Sequence, residues 1–155
     1  MSAFVGLDLA KNLGYLTVPV VFLTSCFLPH AYAVMASGKV YDNANPRGWK
    51  DAMAKADMDK PRQQRLLRAQ NASENGFESI GIYAAGVIAA NQAGLSASTV
   101  NALTLGYLAS RLAYVFSYVE LGANRKLSGV RSGFWVLSMG LCFALWVKAG
   151  LKAIE

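Results

Sequence analysis

The chain has 155 residues, 54% of them hydrophobic and only 15% charged, and carries a net charge of +6. Soluble domains average roughly a quarter charged residues, so this composition argues against an ordinary soluble domain, and the length suits a single domain over 1–155. The basic excess accompanies no nucleic-acid-binding motif, which argues against a nucleic-acid partner.

No charged residue lies between Lys11 and Lys39, between Glu78 and Arg111, or from Ser132 to Val147. A membrane-spanning helix needs about 20 apolar residues. The middle stretch is broken by Asn91-Gln92-Ala93-Gly94 and therefore holds parts of two helices. The reading is an all-α integral membrane four-helix bundle with spans over roughly Leu13–Ala36, Leu66–Ala90, Ala97–Val119 and Val130–Lys148. The mean hydropathy of +0.30 is modest because the first loop is long and charged.

The first helix is expected to end near Pro29-His30. Leu13–Phe27 followed by Ala31-Tyr32-Ala33 also has the shape of a signal peptide, but the run is long for one and its charged flank, Asp8 and Lys11, is weak. A retained helix is preferred. Cys26 and Cys142 fall in apolar segments and read as buried packing residues, with no metal spacing.

The segment Lys39–Pro61 is polar, with turn signals at Asp42-Asn43 and Asn45-Pro46. Trp49, Ala52, Met53 and Ala56 recur within it at helical spacing, which predicts a short surface helix with Trp49 at headgroup level. Asp59 and Pro61 form a start signal for the second long helix. Eight basic residues fall from Lys39 to Arg68, and Arg125, Lys126 and Arg131 flank the fourth helix, whereas the loop around Asn91 has none. The positive-inside rule makes loops 1 and 3 cytoplasmic and puts both termini on the lumenal side. The basic excess also attracts anionic lipid.

On the second helix, Arg68, Asn71, Asn75 and Glu78 advance by three or four residues and share one face, with Glu74 near its edge. Beyond Glu78, Gly81, Ala85 and Ala89 form a small-residue stripe suited to close helix contact. On the third helix, Arg111, Tyr114 and Tyr118 share a face, and Arg131-Ser132 opens the fourth. Glu78 and Arg111 lie at similar depth, roughly 18 Å and 13 Å from the cytoplasmic ends of their helices. They are opposite in sign and are expected to meet. Ionisable residues at such depth default to a functional site facing other helices.

Two readings of these residues stay open. In one, Glu78–Arg111 is a structural ion pair, Asn71 and Asn75 bond between helices, Tyr118 is an interfacial aromatic and Arg131 sets topology. In the other, they line a polar cleft open to the cytoplasm. Such a cleft suits a small anionic cosubstrate, because arginine holds carboxylates through two parallel hydrogen bonds. An arginine beside a thiol also favours the thiolate, the nucleophilic form. Glutathione, with two carboxylates, an ammonium and a thiol, is a molecule of that kind. His30 reads as a helix-end residue.

Taken together, these residues resemble the MAPEG family, membrane-associated proteins in eicosanoid and glutathione metabolism. The resemblance covers most of the chain. It runs through Leu28-Pro29-His30, Tyr41-Asp42-Asn43 with Asn45-Pro46-Arg47, Arg68-Ala69-Gln70, Asn75-Gly76-Phe77-Glu78 and Ile82-Tyr83-Ala84-Ala85. It continues in Arg111-x-x-Tyr114-x-x-x-Tyr118 and Arg131-Ser132. The Asp-Asn…Pro-Arg loop is similar to fungal members.

The resemblance implies a homotrimer in a lipid bilayer, with the endoplasmic reticulum expected, that binds glutathione between subunits and acts on a lipophilic small molecule. It implies glutathione contacts from Asn75, Glu78, Arg111 and Tyr118, with Tyr114 lining the same site and Arg68 and Asn71 nearby. Arg131 and Ser132 match the place where family enzymes stabilise the thiol, which makes Arg131, Ser132 and Tyr118 the catalytic candidates. Asn71-Ala72-Ser73-Glu74 is a second Asn-x-x-Glu. The Asn75/Glu78 register is preferred because it puts the following Gly-Ile-Tyr-Ala-Ala in the family's apolar continuation. In that register Asn71 stands where well-studied enzymes have an arginine, and Glu74 where some have a basic residue. The expected activity is a membrane glutathione transferase or glutathione-dependent isomerase. The alternatives are a glutathione-independent isomerase or cyclase using Glu78, Arg111 or a tyrosine for proton transfer, and a non-catalytic scaffold.

Overall fold

A computed structural model describes residues 8–155, so residues 1–7 of the expected 1–155 domain lie outside the described part. Every regular element among the described residues is helical. Helix α1 (Gly14–Val21), a π-helical stretch (Phe22–Phe27) and α2 (Leu28–Ser37) run on as one rod. The short α3 (Trp49–Lys55) follows in the first loop, then α4 (Lys60–Gln92). Helix α5 (Ala97–Phe116) continues through a second π-helical stretch (Ser117–Leu121), and α6 (Ser128–Ala153) closes the chain.

The first rod does not stop at Pro29-His30 as its apolar run suggests. Pro29 lacks the N–H that would bond the Ser25 carbonyl, and a proline ring crowds that carbonyl in a regular α-helix. The chain accommodates it by widening to π geometry just upstream, where the Leu28 N–H reaches back to the Leu23 carbonyl. Such π segments cluster at functional sites. Ala31–Ala33, the small-residue run of the signal-peptide reading, sits inside α2 with Ala33 fully buried.

Helix α4 starts where Asp59 and Pro61 predict, with the Asp59 carboxylate accepting from the Arg62 N–H at 3.2 Å. Its 33 residues make it about 50 Å long. The helix extends beyond the Leu66–Ala90 expected of it.

Among the described residues, two segments are long and apolar enough to cross a membrane, Gly14–Val40 and Arg125–Ala153. Only 28% and 22% of their most apolar windows are buried inside the chain, the reverse of a soluble protein's core helix. Leu16, Leu23 and Leu28 on the first rod, and Val136, Phe143 and Val147 on α6, face outward. Helices α4 and α5, expected to span as well, fall short of that apolarity. Half of α4 is the polar Lys60–Glu78 run, and α5 turns Asn101, Thr104, Ser110 and Arg111 inward.

Two apolar clusters form the core. One joins Val21, Tyr83, Val87, Val100, Tyr107 and Leu145 at the end near the α4–α5 turn. The Tyr83 and Tyr107 rings stack there at 3.8 Å, and Thr17 bonds the Tyr83 hydroxyl at 2.5 Å. Cys142 belongs to this cluster, and both cysteines are buried free thiols, as their apolar surroundings predict. The other cluster joins Ala33, Trp49, Met53, Leu66, Ala72, Tyr114 and Val119 toward the charged loops. Along α4 and α5, Ser73–Ser79 and Arg111 fall between the two, so a polar layer separates them.

Trp49 is not a headgroup residue. It is 4% exposed, and its indole N–H donates to the Ser37 hydroxyl at 3.0 Å. Met53 packs beside it, but Ala52 is exposed and the helix ends before Ala56. The Gln63 amide closes the clasp by donating to the Met53 carbonyl. Trp49→Phe keeps the ring burial and removes the hydrogen bond, so it should cost about 1 kcal/mol in thermal unfolding.

Of the stripe Gly81–Ala85–Ala89, Gly81 makes no close helix contact within the chain: nothing lies within 4 Å of a Cβ built there. Close approach occurs at Gly76, against the π segment of the first rod, and at Gly86, against Trp146.

Candidate functional site

Helix α4 presents Asn71, Glu74, Asn75 and Glu78 along one face, α5 and its π extension present Tyr114 and Tyr118, and α6 presents Arg131 and Ser132. Together they line one cleft of about 570 Å³. Trp135 and Val136, one turn further along α6, supply an apolar wall. Sequence reasoning missed this pair, although their i+4 spacing from Arg131 and Ser132 puts them on the same face.

Arg111 lies behind the cleft and is fully buried. It does not form the expected direct ion pair with Glu78. Its Nη1 donates to Asn75 Oδ1 at 2.8 Å, and the Asn75 amide leans toward Glu78 Oε2 at 3.5 Å. Asn75 sits one turn nearer the charged-loop end and intercepts the guanidinium, so the Glu78 carboxylate stays exposed at the cleft. Among the described residues, the Nε and Nη2 of Arg111 have no hydrogen-bond partner.

The arginines and tyrosines form a ladder. Arg111 lies over the Tyr114 ring at 4.5 Å, Tyr114 meets Tyr118 edge-on at 5.7 Å, and Arg131 lies over Tyr118 at 4.5 Å. Each cation sits within the roughly 6 Å at which a ring's quadrupole attracts it. The ladder carries positive charge from the buried layer to the cleft and fixes the Tyr118 and Arg131 side chains against each other.

Glu74 interrupts a basic wall on paper, but its charge is answered. Lys50 of α3 reaches it at 2.5 Å, and the Gln70 amide donates to its other oxygen at 3.1 Å. With Gln70 so oriented, its Oε1 takes the His30 Nδ1 proton at 2.8 Å. His30 is thus the first link of a His30–Gln70–Glu74–Lys50 chain rather than a helix-end residue. Lys50 was illegible as a site neighbour because it arrives from a loop 24 residues away.

Arg68 does not join the cleft, although it shares the α4 stripe. Its Nε and Nη2 donate to the Val119 carbonyl at 3.2 and 3.1 Å, in the π stretch that carries Tyr118. A Cβ at Gly122 would come within 2.6 Å of the Arg68 side chain, so glycine makes room for this clamp.

A search of curated proteins returns no significant match. The family model for the MAPEG family matches residues 14–151, a range that takes in the first rod, the cleft helices and nearly all of α6. The chain therefore belongs to the MAPEG family.

Proposed function

We propose that the cleft binds glutathione and that the chain is a membrane-embedded glutathione transferase or glutathione-dependent isomerase for a lipophilic substrate. In this reading the protein is a homotrimer with four spans per subunit and cytoplasmic loops 1 and 3, and it resides in the endoplasmic reticulum. The observation that carries the proposal is the convergence of Asn71, Asn75, Glu78, Tyr114, Tyr118, Arg131 and Ser132 on one cleft.

The donor set fits the ligand. Ligand pockets run from about 300 to 1,000 Å³, which accommodates the cleft's volume. The Arg131 guanidinium, the Tyr118 hydroxyl and the Asn71 amide are donors for carboxylates, and Glu78 is an acceptor for an ammonium. The orphaned donors of Arg111 add positive potential behind them. Lys50 neutralises Glu74, which otherwise opposes an anion.

Bound glutathione would supply a nucleophilic thiol. Arg131 would favour its ionised form, Ser132 would donate a hydrogen bond to it, and Tyr118 would hold Arg131 in place through the ring stack. Trp135 and Val136 would exclude water and give an apolar substrate a path from the bilayer. The missing direct ion pair favours this reading over a scaffold whose sole purpose is to pair Glu78 with Arg111.

The test is thermal unfolding of the solubilised protein. Millimolar glutathione is expected to raise the melting temperature, and no shift would sink the proposal. With a generic electrophile, Arg131→Gln should lower kcat/KM by about a hundredfold and move the pH profile upward. An unchanged profile removes Arg131 from the thiolate role.

A further inference from the structure

A second site lies along α4 from the cleft, at the charged-loop end of the helix. A cavity of about 990 Å³ is walled by Lys60, Arg62, Arg65, Arg68 and Arg125, with Glu120 the one carboxylate. Glu120 pairs with Arg65 at 2.5 Å. Among the described residues, three of the other cations meet only neutral acceptors: the Gln63 amide for Lys60, the Ala36 carbonyl for Arg62 and the Val119 carbonyl for Arg68. The cavity thus holds an excess of four positive charges.

This basic cavity adjoins a separate, apolar groove of about 380 Å³ between the first rod and α5. Leu28, Leu112, Val115 and Phe116 line the groove, and Tyr32, Arg65, Val119 and Glu120 belong to both spaces. Arg65 stands at the junction, its guanidinium 5.6 Å from the Tyr32 ring centroid. From Tyr32 to Thr24 the groove follows the first rod for about 12 Å. Leu28, Leu112 and Phe116 remain 55%, 45% and 61% exposed.

We infer that this composite site binds one anionic phospholipid, with its phosphate among the unpaired cations Lys60, Arg62 and Arg125 and an acyl chain along Leu28, Leu112 and Phe116. Charge complementarity selects the occupant. Four uncompensated cations reject a zwitterionic or cationic headgroup and are satisfied by a phosphodiester carrying net negative charge. The order of the two spaces matches a lipid's polarity, since the cations sit beside the loops and the groove runs down the span. The inference rests on membrane embedding of the first rod and α5 and is independent of glutathione binding at the cleft.

The test is native mass spectrometry of delipidated protein titrated with phosphatidylglycerol or phosphatidylcholine of identical acyl chains. One phosphatidylglycerol per chain should bind, about tenfold or more tighter than phosphatidylcholine. Arg62→Gln with Arg125→Gln should abolish that preference, whereas Lys39→Gln with Lys55→Gln, at exposed cations outside the cavity, should keep it. Glu120→Gln removes the competing carboxylate and should tighten binding, a gain that misfolding cannot mimic. Equal affinity for the two lipids, equal loss in both double variants, or no tightening in Glu120→Gln overturns the inference. Displacement by millimolar glycerol phosphate would also overturn it, because the site would then take a free phosphate ester rather than a lipid.

Discussion

Asn75→Leu should destabilise the protein by about 3 kcal/mol, because it leaves a fully buried guanidinium with no hydrogen-bond acceptor. Among the described residues, only Nη1 of the Arg111 side chain is satisfied, and its acceptor is Asn75 Oδ1. A loss of that size corresponds to a fall of roughly 6–12 °C in melting temperature for a chain of this length. Leucine has asparagine's branching and number of heavy atoms, so it keeps the shape of the side chain while removing the acceptor. Adding Arg111→Met should recover most of the loss, because an apolar side chain of similar volume replaces a stranded charge. A double-mutant cycle in thermal unfolding measures the coupling. The competing outcome is specific: the guanidinium could swing to Glu78 and form the direct pair. Asn75→Leu would then melt with the parent protein, and Glu78→Gln would become harmful only in its presence. That result would overturn the relay through Asn75.

The relay also marks the limit of what the sequence makes legible. The spacing of Asn71, Asn75 and Glu78 puts them on one face, and the spacing of Arg111, Tyr114 and Tyr118 does the same, because helical periodicity is local. Which atom of one face meets which atom of the other depends on the axial offset of two helices. One turn of α4 decides whether Arg111 finds Glu78 or Asn75, and the boundary uncertainty of a sequence reading spans a full turn. Arg68 shows the same limit. It shares the α4 stripe, but the neighbour at its level is a π stretch whose exposed carbonyl captures it. The Asp59–Pro61 start of α4 and the burial of both cysteines were readable, because each depends on near neighbours or on composition alone. Trp49 was misread because amphipathic spacing does not distinguish a helix lying on lipid from one lying on the protein's own Ser37 and Leu66.

Gly76→Ala should be harmful, even though alanine is favoured over glycine inside a helix by about 1 kcal/mol. The Pro29-induced π segment leaves backbone carbonyls of the first rod facing α4, and the Ser73 hydroxyl takes the Cys26 carbonyl at 2.6 Å. One turn on, a Cβ at Gly76 would sit 2.9 Å from the Ser25 carbonyl carbon and 3.0 Å from the Cys26 sulfur. Backbone cannot rotate away as a side chain can, so the first rod and α4 must separate. Overpacking of this kind costs typically 1–3 kcal/mol, which exceeds the propensity gain, and Gly76→Val should cost more. Gly150→Ala in α6, with nothing within 4 Å of the added Cβ, is the control and should be neutral or slightly stabilising. Because Gly76 follows Asn75 directly, the separation should reach the cleft. Thermal unfolding and glutathione-induced stabilisation should therefore weaken together in Gly76→Ala. A variant as stable as the parent would mean that the first rod yields at the π segment and that its close contact with α4 is not what sets the position of Asn75.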